Sequence, residues 1–226
     1  MKIRKSAFLA VLLALPMVCS AQSDEDIDAS TETTHDGLVQ VRRAGFRNVW
    51  VKPGVDISAF TKIFPGPAQF HYRDVTPVSR RAASRASEFP IEENSRARLE
   101  EAMTEAFREE LSESEHFELV DEVGPDALLL FGSLHDIVSN VPPDQVGRTR
   151  IYLSRVGQAT LVLQIEDSMS REVLARVVDR RAADPAFPRQ SNTVTNMAEV
   201  RRLARTWTRL MTRGLDRWVE SGGVVE

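Results

Sequence analysis

The chain holds one cysteine, Cys19, so no disulfide framework and no thiolate metal cluster can form within it. Aromatics are scarce, at 7% of 226 residues. Lysine is scarcer still: Lys2, Lys5, Lys52 and Lys62 stand alone among 29 basic residues. So strong an arginine bias reads as the mark of a GC-rich coding sequence, not as selection for phosphate binding. There is no phosphate-cradling glycine loop, no dinucleotide fingerprint and no Gly-x-Ser-x-Gly elbow. None of the histidines His35, His71, His116 and His135 is spaced three or four residues from another, which removes the helical zinc signature. A charged fraction of 27% excludes a multi-pass membrane protein, and 42% hydrophobic residues exclude a chain disordered throughout.

What is present begins with a secretory pattern over residues 1–21. Lys2, Arg4 and Lys5 form a basic start, about a dozen mostly apolar residues follow, and Cys19, Ser20 and Ala21 supply small residues for cleavage before Gln22. The apolar run is too short for a comfortable bilayer span, and no later run approaches one. Cys19 opens a second reading, the acylated cysteine of an outer-membrane lipoprotein. Pro16 and Val18 stand where that cleavage favours leucine and a small residue. Loss of the three basic residues takes the formal charge from −4 to −7, an acidity that speaks against nucleic acid or anionic lipid as a partner.

Residues 22–36 are acidic and nearly free of bulky apolar side chains, and read as a disordered leader. Residues 37–220 read as one α/β domain, followed by a tail at 221–226. Short β-rich pieces are expected at 39–42 and 48–51. A longer strand over 61–72 is interrupted by Pro65, Gly66 and Pro67, which marks an edge or a bulge because proline lacks a ladder donor. A basic loop over 73–90 carries Arg80, Arg81 and Arg85. Leu99, Met103, Ala106, Phe107 and Leu111 recur at helical spacing and predict a helix over 92–112.

Strands are then expected at 117–120, 126–138, 158–166 and 173–180, the last two forming a hairpin around a polar turn. Residues 183–195 read as a loop. A final helix is expected over 197–219, capped by Asn196 with Glu199 three places on. Val200, Ala204, Trp207, Met211, Leu215 and Trp218 trace its apolar stripe, and Trp207 and Trp218 would anchor it to the sheet. Arg201, Arg205, Arg209 and Arg213 form a basic face that would meet a partner.

The search for catalytic chemistry finds little. Ser133, His135 and Asp136 are neighbours on one strand, where nucleophile–base geometry is rarely achieved, so a hydrogen-bonded strand histidine is the expectation. Asp167, Asp179 and Asp184 could gather near one end of the hairpin, as acid–base work requires. Asp167 more simply starts a turn, and Asp179 with its arginine neighbours more simply makes surface ion pairs. No catalytic, cofactor-binding or metal-binding residue is assigned.

With these elements placed, the chain resembles the bacterial envelope family labelled domain of unknown function 3313. The resemblance is carried by Asp36-Gly37-Leu38, VWVKPGVDISAFTKI at 49–63, GPDALLLFGSLHDI at 124–137 and GQATLVLQIEDSMSREVLARVVDRRA at 157–182. It implies an envelope location and supplies no activity, cofactor or catalytic residue. The order of elements is also similar to the small α/β domains of periplasmic accessory lipoproteins, a likeness of fold alone.

The expectation is therefore an α/β fold with a mixed, largely antiparallel sheet of about five strands against two long helices. The expected function is a non-enzymatic envelope accessory protein, periplasmic, secreted or lipid-anchored. It would bind another envelope protein or a cell-wall or outer-membrane component, with no nucleic acid and no cofactor. An open sheet edge or the arginine face would carry the contact. Two alternatives stand beside it: an envelope-polymer hydrolase or transferase using paired carboxyls, and a carrier for a small apolar ligand, which needs an enclosed cavity.

Overall fold

The computed structural model describes residues 33–41, 45–76, 87–142 and 151–222. In chain order the elements are β1 (Val39–Val41), β2 (Asn48–Val51), β3 (Lys62–Pro65), β4 (Gln69–Tyr72), α1 (Glu93–Leu111), β5 (Glu118–Leu119) and β6 (Ala127–Ser139). There follow β7 (Tyr152–Leu153), β8 (Gly157–Asp167), β9 (Val173–Ala183), β10 (Arg189–Gln190) and α2 (Thr193–Glu220). Eight strands form one sheet in the order β1-β2-β9-β8-β6-β3-β5, with β4 paired to β6 beyond β3. From β1 to β6 every pairing is antiparallel, while β3 and β4 run parallel to β6 and β5 runs parallel to β3.

The sheet is mixed, as the alternating patterns require, but holds eight strands and not about five. The surplus comes from pieces of two to four residues, whose pairing depends on a neighbour that local sequence does not contain. The apolar front of β6, Ala127 to Leu130, is buried on both sides. In β8, Ala159, Leu161, Leu163 and Ile165 are buried on one face, while Thr160, Val162 and Gln164 are only half-buried on the other. The β8–β9 hairpin closes where Asp167 Oδ1 accepts the Met169 N–H at 2.8 Å, as its turn-forming role predicts.

Both helices cover the face that carries Leu128, Leu130, Leu161 and Leu163. Each such buried aliphatic side chain contributes about 1.5–3 kcal/mol relative to exposure. On α1, Ala102, Met103, Ala106 and Leu111 are buried, and on α2 the predicted stripe is buried from Val200 to Trp218. The helices lie side by side and parallel: Arg201, Arg205 and Arg209 of α2 bond Glu105, Glu109 and Glu110 of α1 in register. No helix among the described residues is long and apolar enough to cross a membrane.

Several expectations change. The last helix starts a turn early, capped by Asn192, whose side chain accepts the Thr195 N–H at 3.0 Å while Thr195 Oγ1 accepts the Asn192 N–H. Asn196, the expected cap, instead bonds Ser191. The loop over 183–195 contains β10, which pairs with β7 in a separate two-stranded sheet. Residues 33–36, at the end of the expected leader, are part of the fold: Thr33 bridges Val39 and Asp36 binds Arg176 at 2.7 Å. A turn that short is stabilised by the sheet beneath it, not by its own composition. The signal pattern, Cys19, most of the leader, Arg80, Arg81, Arg85 and the last four residues lie outside the described residues.

Candidate functional site

The predicted long strand is broken as its prolines demand. Pro65 and Pro67 have no N–H to donate, so the ladder to β6 lapses between β3 and β4. Gly66 crosses the gap with its N–H on the Leu130 carbonyl at 2.9 Å. A Cβ there would meet that oxygen and the Phe131 ring at 3.0 Å, so the close approach depends on glycine. Beyond the gap, β4 pairs with β6 on one side and with no strand on the other among the described residues.

Under this broken edge lies a hollow of about 200 Å³ between the sheet and the helices, walled by Pro65, Phe70, Phe107, Leu130, Leu163 and Trp207 among others. A second hollow of about 290 Å³ lies toward the ends where both helices begin. Met103 and Leu134 line both. The far end of β4 is held to α1 through Tyr72. Its hydroxyl donates to Glu100 at 2.8 Å and its ring lies 4.5 Å from the Arg96 guanidinium. Burial, then the Glu100 carboxylate, keeps that phenol protonated well above its ordinary range.

Three of the four arginines of the anticipated basic face pair with glutamates of α1 while staying partly exposed. Arg205 binds Glu109 at 2.8 Å, Arg201 reaches Glu105 at 3.3 Å, and Arg209 grips the buried Glu110 with two donors. These arginines join helix to helix, and of the four only Arg213 has no ion-pair partner among the described residues. Helical spacing placed them on one face but could not reveal that α1 turns its glutamates toward them.

The three aspartates do not meet. Asp167 is in the hairpin turn, Asp184 binds Arg155 at 3.2 Å at the other end, and Asp179 is buried in mid-strand. Asp179 was expected in surface pairs. It instead accepts from the Trp207 indole at 2.9 Å, the Arg181 guanidinium at 2.6 Å and the Arg47 N–H at 2.9 Å. Among the described residues the carboxyls of Asp36, Asp56, Glu109, Asp126 and Asp167 are held below their ordinary range, chiefly by hydrogen bonds from the Thr34 hydroxyl, the Ser58 N–H, the Arg205 guanidinium, the Lys62 ammonium and the Met169 N–H in turn. His135 Nε2 lies 2.9 Å from Ser133 Oγ, and His71 of β4 stacks on its ring at 4.5 Å. Asp136, at φ 54, lies 3.8 Å from the Arg73 guanidinium, and among the described residues no carboxylate bonds His135. Among the described residues no three histidines, cysteines or carboxylates gather as metal ligands.

The family model described as Protein of unknown function (DUF3313) matches residues 30–211. The chain belongs to this family. No curated protein matches it. Among solved structures it is similar to a Xanthomonas campestris protein under the family model DUF330, at 14% identity over 74% of this chain and 94% of that one, TM-score 0.36. A PelC dodecamer from Paraburkholderia phytofirmans matches at 8% identity, 70% and 96% coverage and TM-score 0.32. A protein described as a neuraminyllactose-binding hemagglutinin homolog, from Helicobacter pylori, matches at 10%, 72% and 89%, and 0.38.

Sequence reasoning found the proline break and missed the hollows. A hollow is the space left between three elements distant in the chain, and no local pattern encodes it.

Proposed function

We propose that the protein is a non-enzymatic accessory protein of the cell envelope that binds an extended segment of another envelope protein along β4. The observation that carries the reading is the outer edge of β4, left without a strand partner among the described residues and set over an apolar hollow. An unpaired edge offers main-chain donors and acceptors to an incoming strand, and a pocket beside it selects one of that strand's side chains. The 200 Å³ hollow, with Phe70, Phe107 and Trp207 in its walls, suits a large apolar side chain. The envelope location is supported by the basic, apolar and small-residue order of residues 1–21, and any membrane contact would run through a lipid on Cys19.

Photo-crosslinking tests the reading. A crosslinker at Gln69 or His71 is expected to trap one envelope protein that the same group at Arg213 does not trap. The trapped partner should also slow amide exchange across β4. Capture at Arg213 in preference, or β4 amides left unprotected in the complex, would overturn it.

A further inference from the structure

We infer that the stack of His71 on His135 makes the pairing of β4 to β6 sensitive to pH, so that the β4 edge is firm at neutral pH and loosens in acid. Its consequence for binding rests on the β4 reading above. The device itself belongs to the chain alone and is tested without a partner.

The stack stands where the ladder is weakest. Phe70 pairs with Leu134 and Tyr72 with Ile137, so His135 and Asp136 of β6 stand opposite His71 alone. Asp136 takes φ 54 at this bulge, and on its other side β6 loses register with β8 between His135 and Val138. An extra residue of this kind is left out of the ladder, and side chains make the contact in its place. Here they are the two imidazole rings, 4.5 Å apart and inclined by 19°. His71 is exposed and His135 half-buried, so protons reach the pair from solvent.

Neutral rings stack, whereas two imidazolium ions face to face repel. Histidine is the side chain whose charge ordinarily changes in mild acid. The Ser133 hydroxyl, 2.9 Å from His135 Nε2, donates to a neutral ring or accepts from a charged one, so it favours neither state. The charged groups around the pair are already engaged or carry the same sign. Arg73, next along from β4, takes Asp136 of β6 at 3.8 Å and Glu88 at 2.9 Å. Asp74 follows it, exposed, past the end of the strand. β8 sets the uncharged Thr160 opposite His135, and β9 sets Arg180 opposite Thr160. From α1, Arg96 and Glu100 are both held at Tyr72. Opening the strand parts the rings and lets both be charged. The opened form therefore binds more protons and gains as pH falls.

Amide hydrogen exchange tests it, read as protection relative to the unfolded rate at each pH. The reporter is the Arg73 N–H, which donates to the Ile137 carbonyl at 3.0 Å just past the bulge. Between about pH 7.5 and about pH 5 its protection is expected to fall roughly tenfold, while the amides of β8 keep theirs. His71→Phe leaves a flat ring over His135 at an exposed position and removes one charge, so its Arg73 protection should be the same at both pH values. His135→Phe is the reciprocal variant and should behave alike. Three results would each overturn the inference: protection in the wild type that does not change with pH, a fall that His71→Phe retains, or a fall shared by β8. Partner capture does not enter these readings, so failure of the β4 reading and failure of this inference are seen separately.

Discussion

Asp179 and Trp207 join the sheet to the last helix: the indole N–H donates to the carboxylate at 2.9 Å, and both side chains are buried. The same carboxylate takes the Arg181 guanidinium and the Arg47 backbone N–H. Helix α2 is therefore tied, through one acceptor, to β9 and to the turn before β2.

Asp179→Ala strands three donors and is expected to cost about 3 kcal/mol, since each buried unmet donor carries a desolvation penalty of about 1–3 kcal/mol and the exposed side of Arg181 finds water. Trp207→Phe removes one donor and keeps most of the apolar contact, so its loss should be nearer 1–2 kcal/mol. Urea denaturation distinguishes them, and equal losses would mean that Asp179 matters only through Trp207.

The helix–helix ladder should not be uniform. Glu105 and Glu109 are more than half exposed, so Arg201→Ala and Arg205→Ala are each expected to cost under about 0.5 kcal/mol and to fade with salt. Glu110 is buried, so Arg209→Ala leaves a charge without its partner and should cost about 2 kcal/mol, with little salt dependence. Thermal unfolding at low and high salt measures both.

Asp36 gives the fold an acid limit. The Thr34 hydroxyl, with Arg176 adding to it, lowers its carboxyl from 3.8 to about 2. The unfolded chain therefore binds the proton first as pH falls, and the contribution is complete above about pH 4 and lost between 3.8 and 2. For a side chain one-quarter exposed this is about 1 kcal/mol. Asp36→Asn is expected to lower stability at neutral pH and to flatten the acid limb in that window, read from denaturation midpoints against pH.

Much of the fold was legible because its signals are local. Alternation in β8, the apolar front of β6, the stripe of α2 and the prolines of the 61–72 segment each need only their own residues to be read. Asn192 shows where locality fails. Asn192 and Asn196 are both sound caps by residue type, and the helix begins at the first, where Asn192 and Thr195 cap each other, while Asn196 bonds Ser191. β7 and β10 were invisible for a related reason: two residues form a strand only when a partner from another part of the chain arrives.

By itself the sequence determined the family, the mixed α/β architecture, the order of the long elements, the edge break at Pro65 to Pro67 and the absence of a disulfide framework. Tertiary structure alone decided what the charges and spaces do. It paired Arg201, Arg205 and Arg209 of α2 with glutamates of α1, buried Asp179 against Trp207, parted the three aspartates and left two hollows between the layers. Each of these depends on which residues from distant segments face one another. Periodicity assigns a residue to a face, but only packing supplies what stands opposite it.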